Sequence, residues 1–123
     1  MSGKDPAVPL ELSLLELPQR EARGLLATGV PVYLFVNPVE FHGPHLSLRS
    51  DGVLARAVAR DVHVELFGGQ EDRSFVVGGV IDAGVDTTRG AGSQPVKMGV
   101  VGALVERACA GLADLGARAV VSG

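Results

Sequence analysis

The chain has 123 residues, a length that fits a single domain of ordinary size. Hydrophobic residues make up 46% of it and charged residues 20%, which excludes a wholly disordered chain. The net charge of -3 and the low aromatic content, one tyrosine and four phenylalanines, give no indication of a nucleic-acid-binding surface.

The N-terminal part of the chain predicts an edge strand, a helix and a buried strand in turn. Leucine alternates with polar residues over 10–14, which indicates a short strand at the edge of a sheet. Pro18 suits the first turn of a helix and Gly29 suits its end, so we predict a helix between them. The apolar run 30–36 is rich in β-branched and aromatic residues. It predicts a strand buried on both faces, as in a parallel sheet.

A loop rich in turn-forming residues over 37–49 separates this strand from a second helix. We expect Ser50 to cap that helix, which is predicted over about 51–63. The apolar stripe of the helix consists of Val53, Leu54, Ala57, Val58 and Val62. His63 falls near the predicted end, where we expect a surface histidine or a partner of the helix dipole.

The second half of the chain repeats the order of strand and helix. Residues 75–81 predict a strand, which two internal glycines weaken. A loop over 82–94 follows. The strongest helical pattern in the chain lies over 95–115, and Gly116 is expected to end it. A final strand is predicted over 118–121.

Strands that alternate with helices predict βαβ units, and therefore a three-layer α/β/α fold with a mainly parallel sheet. The sequence contains no linker, so we treat 1–123 as one domain. We expect the strands near 31–36 and 118–121 to lie parallel in one sheet, with their carboxyl ends at the same edge. Because the chain ends on a predicted buried strand, we expect a truncated α/β domain.

Side chains of the types that bind metals crowd into one short stretch, which contains Glu40, His42, His45 and Asp51. Glu40 and His42 are two residues apart, so both point to the same side of an extended segment. Carboxylates and an imidazole at the carboxyl end of a strand suit Zn²⁺ or Mn²⁺ better than Ca²⁺. The spacing equally allows a solvated loop acid, a hydrogen-bonded turn histidine and a first-turn acid that faces the helix dipole.

A longer pattern favours the metal interpretation. Residues 36–51 read VNPVEFHGPHLSLRSD and resemble the signature of the creatininase family of metal-dependent amidohydrolases, P-x-G-S-x-E-Q-H-G-P-H-L-P-x-x-T-D. The matching positions are Glu40, His42, Gly43, Pro44, His45, Leu46 and Asp51. The resemblance implies two divalent ions, Zn²⁺ or Mn²⁺ with iron as a further candidate. Glu40 would bind one ion, His42 the other, and Asp51 both, while His45 serves the loop of the motif.

The chain departs from this signature at several positions. Asn37 and Pro38 stand where the family has Gly-Ser, and Phe41 replaces a glutamine, which removes a polar group beside the site. Residues 117–123 resemble the approach to a family strand that ends in Asn-Gly-His, with Ser-Gly in place of Asn-Gly. The resemblance therefore covers the N-terminal half of the family's domain, and it implies that the remaining metal ligands lie beyond this chain.

The resemblance implies hydrolysis of the C–N bond of a small or non-peptide amide, with a water activated by two metal ions as the nucleophile. Catalytic and substrate-binding residues stay unknown, and the chain alone is expected to be inactive without the later ligands. Asp82 and Asp86 flank a loop that overlies the site in the family, and both are interpreted as solvated loop acids. The alternative is a truncated, non-catalytic relative or a fragment that acts only through self-association or binding.

We expect a soluble, cytoplasmic protein. No apolar run reaches the roughly 18 residues of a membrane span, and the N-terminus lacks the continuous apolar core of a secretory signal. The single Cys109 cannot form an internal disulfide, so nothing favours an oxidising compartment. The expected partners are a small amide-containing substrate and further copies of the chain, because half a layered domain exposes apolar surface. Neither a nucleic-acid nor a membrane partner is expected.

Overall fold

The structure, a computed structural model, describes residues 10–68 and 74–122. Its strands and helices, in chain order, are β1 (Glu11–Ser13), α1 (Gln19–Leu26), β2 (Val32–Asn37), α2 (Ser50–Phe67), β3 (Phe75–Asp82), α3 (Met98–Leu115) and β4 (Val120–Ser122), with one 3₁₀ turn at Leu14–Glu16. Every strand and helix of the predicted order is present. None of the helices described is both long and apolar enough to cross a membrane.

The four strands form one parallel sheet in the order β1-β3-β2-β4. β2 pairs with β3 along its length and with β4 at its start, where Leu34 lies opposite Ser122. This confirms that β2 and β4 are parallel, with carboxyl ends at the same edge. β1 pairs only with Phe75–Val77 of β3, which confirms a short edge strand.

Helices cover both faces of the sheet, so the prediction of a three-layer α/β/α fold is confirmed. Side chains along each strand alternate between the two faces. One face packs against α1 and α3 through a buried apolar cluster that includes Ala22, Leu26, Val30, Val32, Val76 and Leu112. The other face packs against α2 and is mainly aromatic, with Tyr33, Phe35, Phe75 and Val77 packed against Ala55 and Ala59.

The ends of the helices agree in part with the sequence prediction. α3 begins at Met98 and not at the predicted residue 95. It ends as predicted at Gly116, whose left-handed backbone (φ 117°) lets its amide donate to two carbonyls of the last turn. At α2, the prediction that Ser50 caps the helix is wrong. Ser50 is the first helical residue, and its hydroxyl donates to the carbonyl of Ser47. α2 also continues to Phe67, beyond its predicted end.

The apolar stripe predicted for α2 does not pack on the sheet. Leu54, Val58 and Val62 have 65%, 53% and 48% of their surface exposed, whereas the helix meets the sheet through Ala55 and Ala59. Alanine at these two positions lets the helix lie close to the strands, so the larger residues fall to the side of the contact. The three exposed residues, Leu54, Val58 and Val62, form a separate surface that we call the α2 groove face.

His63 belongs to the buried face of α2, which contradicts its predicted place at the surface. Only 1% of its surface is exposed, and its Nδ1 lies 2.7 Å from the hydroxyl oxygen of Tyr33. The rings of Tyr33, Phe67 and Phe75 surround it. Burial raises the pKa of the Tyr33 hydroxyl, which keeps that partner neutral. A polar ring is tolerated in the core because it shares a hydrogen bond with the tyrosine hydroxyl.

The glycine pair in β3 allows close packing at a point where the sequence indicated a weak strand. The register between β2 and β3 shifts at Gly78, which is the extra residue of a β-bulge. A Cβ added to Gly78 would lie 2.3 Å from Cγ1 of Val32 and 3.2 Å from the Leu112 side chain. The bare backbone at this position therefore lets β2 and α3 approach β3 closely.

We expect Gly78→Ala to destabilise the fold by about 1–3 kcal/mol, because the added methyl group overpacks this contact. Gly24→Ala is the matched control, since an added Cβ inside α1 meets no atom of another element within 4 Å. The control substitution should stabilise the chain by up to about 1 kcal/mol through helix propensity. Denaturant unfolding of both variants measures the difference. Equal changes in the free energy of unfolding would contradict the packing role of Gly78.

Candidate metal centre

Glu40, His42 and Asp51 come together at the carboxyl edge of the sheet. The chain leaves β2 without regular secondary structure and passes through Glu40 and His42. The amide of Glu40 donates to the carbonyl of Leu48 at 3.0 Å, which closes the intervening residues into a loop. Gly43 makes the turn in a left-handed conformation (φ 92°). Asp51 then lies in the first turn of α2.

The three side chains each present one potential ligand atom, and these atoms lie within 4.8 Å of one another. Nε2 of His42 is 3.6 Å from Oε1 of Glu40 and 3.3 Å from Oδ2 of Asp51. The side chains of Glu40, His42 and Asp51 are 14%, 22% and 40% exposed. The cluster is therefore partly shielded and still reachable from solvent.

The chemistry of this cluster fits a divalent cation. Nε2 of His42 is buried next to two carboxylates, and none of the residues described forms a hydrogen bond with it. A buried ring nitrogen without a hydrogen bond is unfavourable, and a cation shared with the carboxylates would satisfy it. Two carboxylate oxygens with one imidazole suit Zn²⁺ or Mn²⁺.

The loop after β3 holds Glu40 in place. The backbone amide of Thr88 donates to Oε2 of Glu40 at 2.7 Å, which leaves Oε1 on the side of His42. The hydrogen bond from this amide is the main reason why the pKa of the Glu40 carboxyl lies below its usual range. Partial burial opposes the lowering, and hydrogen bonding with Asp51 and the charge of His42 add to it. Glu40 is therefore ionised at neutral pH.

The same loop is tied to the segment that carries Glu40. The amide of Phe41 donates to Oγ of Ser93 at 2.8 Å, and that hydroxyl donates to the carbonyl of Thr88 at 2.5 Å. The amide of Gln94 donates to the carbonyl of Val39 at 2.9 Å. These bonds place the loop against the candidate metal centre, as the creatininase resemblance implies.

Phe41 stands where the creatininase signature has glutamine, and its ring contacts the loop over 82–94. A Cβ added to Gly90 would lie 2.4 Å from Cγ of Phe41, so only glycine permits this approach. An apolar contact that fixes the loop therefore replaces the polar group expected beside the ligands.

Three further candidates lie outside the cluster. His45 is exposed in the turn that contains Pro44, and it is not among the residues whose ligand atoms converge. Asp82 accepts hydrogen bonds from Nε and Nη2 of Arg49 at 3.2 and 2.6 Å. Asp86 is exposed and has a left-handed backbone (φ 50°). Within 10–68 and 74–122, neither acid adds to the ligand set.

The carboxyl end of β4 lies on the same side of α2 as Asp51. Asp51 and Ser122 line one groove of about 460 Å³, so the end of β4 approaches the candidate metal centre. Gly123, the last residue of the segment that resembles the family's approach to its histidine, lies outside the described residues.

Sequence reasoning missed the part that Thr88 and Ser93 play. Thr88 acts mainly through its backbone amide, which every residue except proline carries, so its identity gives no signal. The glycines of the same loop did carry a signal in the sequence. Gly90 approaches Phe41, and a Cβ added to Gly92 would lie 2.8 Å from the side chain of Leu48. Closely spaced glycines here indicate that the loop packs tightly on the segment after β2.

Solved creatininase structures resemble the chain in fold, whereas neither a family model nor a curated protein sequence gives a significant match. The crystal structure of creatinine amidohydrolase (creatininase) matches with a TM-score of 0.70 at 24% identity, over 89% of this chain and 43% of that chain. A creatininase variant complexed with creatine matches with a TM-score of 0.69 at 23% identity, over 91% and 44% of the two chains. A structure designated "Creatininase Mn" matches with a TM-score of 0.68 at 24% identity, over the same shares.

The chain spans less than half the length of the creatininases it matches, and the identity is low enough that the likeness concerns the fold alone. It fits the creatininase-like N-terminal half that the pattern over 36–51 implies. Over the part that it spans, the chain therefore has the creatininase fold, with helices on both faces of a parallel sheet.

Proposed function

We propose that the chain contributes a divalent metal site to a metal-dependent amidohydrolase of the creatininase type. The observation that carries this proposal is the convergence of Glu40, His42 and Asp51, with Nε2 of His42 facing both carboxylates. The carboxyl edge of an open α/β sheet is where such folds bind their ligands. The likeness to creatininase structures supports the same reaction class.

The candidate ligands contribute through their own chemistry. Glu40 is ionised and oriented by the Thr88 amide, so it presents one carboxylate oxygen to the cluster. His42 presents Nε2, and Asp51 presents an oxygen that the first turn of α2 positions. A divalent cation bound there supplies Lewis-acid polarisation of an amide carbonyl and activation of a water molecule.

We propose the ligand assignment of the creatininase resemblance, with Glu40 for one ion, His42 for a second, and Asp51 for both. Zn²⁺ and Mn²⁺ are the favoured ions and iron is a third candidate; one matching structure is designated "Creatininase Mn". This set gives each ion two protein ligands, because Asp51 counts twice, whereas catalytic zinc usually keeps three. With two ions bound, each therefore needs a further ligand from outside the described residues.

The proposed substrate is a small molecule with an amide C–N bond. One matching structure is a creatinine amidohydrolase, which supports an amide substrate, and another is a creatininase complexed with creatine, which supports a small molecule. We assign no residue to substrate binding or to acid–base catalysis. We propose a cytoplasmic location, without a nucleic-acid or membrane partner.

A second candidate function rests on the groove beside α2. The α2 groove face borders this groove together with Val121 and Ser122, and its walls are almost wholly apolar. Among the described strands, none covers the outer edge of β4. Apolar surface next to an open strand edge favours association between chains. We propose that a second copy of the chain covers the groove; in the alternative function, this association is the whole activity and no hydrolysis occurs.

Metal binding is the first test. We expect the purified chain to bind one Zn²⁺ or Mn²⁺ weakly and no second ion, because the three ligands within the described residues are too few for two ions. His42→Ala and Asp51→Ala should each lower the affinity by about tenfold or more, whereas His45→Ala should leave it unchanged, because His45 lies outside the cluster. Titration calorimetry on metal-free protein measures the affinity. Equal losses in all three variants, or no binding by the native chain, would refute the site.

Hydrolysis is tested with creatinine and simple amides in the presence of added Zn²⁺ or Mn²⁺. We expect negligible turnover by the chain alone, because the described residues supply too few ligands to hold two ions. Two tightly held ions with measurable turnover would overturn that expectation. The loss of such turnover in His42→Ala, and its retention in His45→Ala, would then establish hydrolysis within a single chain.

Self-association is tested by sedimentation of the native chain and two variants. We expect the double substitution Leu54→Lys with Val58→Lys to shift the chain toward monomer, because both charges would have to enter the apolar interface. Val100→Lys is the control, since Val100 is 46% exposed on α3, away from the groove. A native chain that stays monomeric and melts in one sharp transition would contradict the oligomer.

A further inference from the structure

The side of α2 away from the groove carries a cavity that the candidate metal centre does not use. Its volume is about 640 Å³, within the range of small-molecule sites. It lies beside the carboxyl half of β3. This half extends beyond the residues that pair with β1, and its Val80 is 49% exposed. The residues of α2 that line it are Gly52, Val53, Arg56, Ala57 and Arg60.

Three arginines line this cavity and two carboxylates pair with them, which leaves one positive charge in excess among residues 10–68 and 74–122. Arg49 is paired with Asp82 through two hydrogen bonds. Glu11 accepts a hydrogen bond from Arg60, and its other oxygen lies 4.0 Å from Nη1 of Arg56. Since Glu11 supplies one negative charge to two guanidinium groups, the charge of Arg56 is only weakly compensated.

Two buried donors at the cavity also have no acceptor. Asn37 is only 7% exposed and lines the cavity, as does Arg60. Nδ2 of Asn37 and Nε of Arg60 have no hydrogen-bond partner in the part of the chain that the structure describes. Both unmatched groups are donors, so their N–H dipoles add to the positive character of this side of the cavity.

Much of the remaining wall is apolar. Phe35, Val53, Ala57 and Val80 contribute to it. The guanidinium carbon of Arg56 lies 5.5 Å from the centre of the Phe35 ring, a cation–π contact that holds the charged group against this wall. A ligand in the cavity therefore meets one positive charge beside apolar surface.

We propose that the cavity binds a small monocarboxylate with an apolar body, whose carboxylate pairs with Arg56. The single excess positive charge matches one negative charge, and a planar carboxylate can accept two hydrogen bonds from a guanidinium group. The apolar walls contact the body of the ligand. The cavity is separate from the candidate metal centre, because none of the three candidate ligands lines it.

Benzoate and its neutral counterpart benzamide are the probes, and chemical-shift titration of the labelled full chain in the presence of EDTA measures their binding. We expect benzoate to shift the amide resonances of Gly52, Val53 and Val80, and benzamide to bind about tenfold more weakly. Arg56→Gln should weaken benzoate binding by about tenfold or more, and Arg56→Lys should retain more of it. Arg107→Gln, at an exposed position on α3, is the control and should bind benzoate as the native chain does.

A second variant separates loss of binding from loss of folding. Ala57→Phe keeps every charge and fills the cavity from an exposed position, so it should also lose benzoate binding. His42→Ala should keep it, which distinguishes this site from the proposed metal site. The proposal is overturned if benzamide binds as well as benzoate, if Arg56→Gln binds benzoate like the native chain, or if millimolar benzoate shifts no resonance.

Discussion

Parallel pairing of β2 along both of its edges is the constraint on which the rest of the structure depends. β3 and β4 hold β2 in register, and Val32–Phe35 are buried on both faces of the sheet. The carboxyl ends of all three strands therefore lie at one edge. Every segment that leaves this edge begins close to the others. The candidate ligands, the loop over 82–94 and the end of β4 meet there without a long insertion.

The three candidate ligands are held in place by different parts of the chain. Asp51 is positioned by a helix, whereas Glu40 and His42 lie on a loop that a backbone hydrogen bond to Leu48 closes. A second loop orients Glu40 through the amide of Thr88. Because a backbone group supplies this bond, the carboxylate keeps one oxygen toward His42 for any residue at position 88 except proline. The geometry of the cluster thus depends more on the course of the two loops than on their side chains.

The order of strands and helices, the parallel sheet and the cluster at its carboxyl edge were predictable, because periodicity and turn residues are local signals. The packing face of α2 was not predictable, since it depends on the side chains that the sheet presents to the helix. The small residues Ala55 and Ala59 pack against the sheet, and their larger neighbours do not. The buried hydrogen-bond partner of His63 is the Tyr33 hydroxyl, which comes from a distant part of the chain. Gly78 illustrates the same limit, because the side chains that leave no room for a Cβ, Val32 of β2 and Leu112 of α3, lie far from it in the sequence. The assignment of metal ions to the three ligands stays a prediction.

The helix α2 has three different faces, which meet the sheet, the apolar groove and the arginine-lined cavity. Successive helical residues are rotated by about 100°, so one residue inserted after Asp51 would leave that ligand in place and turn the rest of the helix. Leu54 and Val58 would then take the places of the two alanines against the sheet, and Arg56 would leave its position in the cavity. A substitution on this helix changes one surface, whereas an insertion or deletion just after Asp51 changes all three. The spacing along α2 between Asp51 and the residues that follow it therefore sets which side chains meet the sheet, the groove and the cavity.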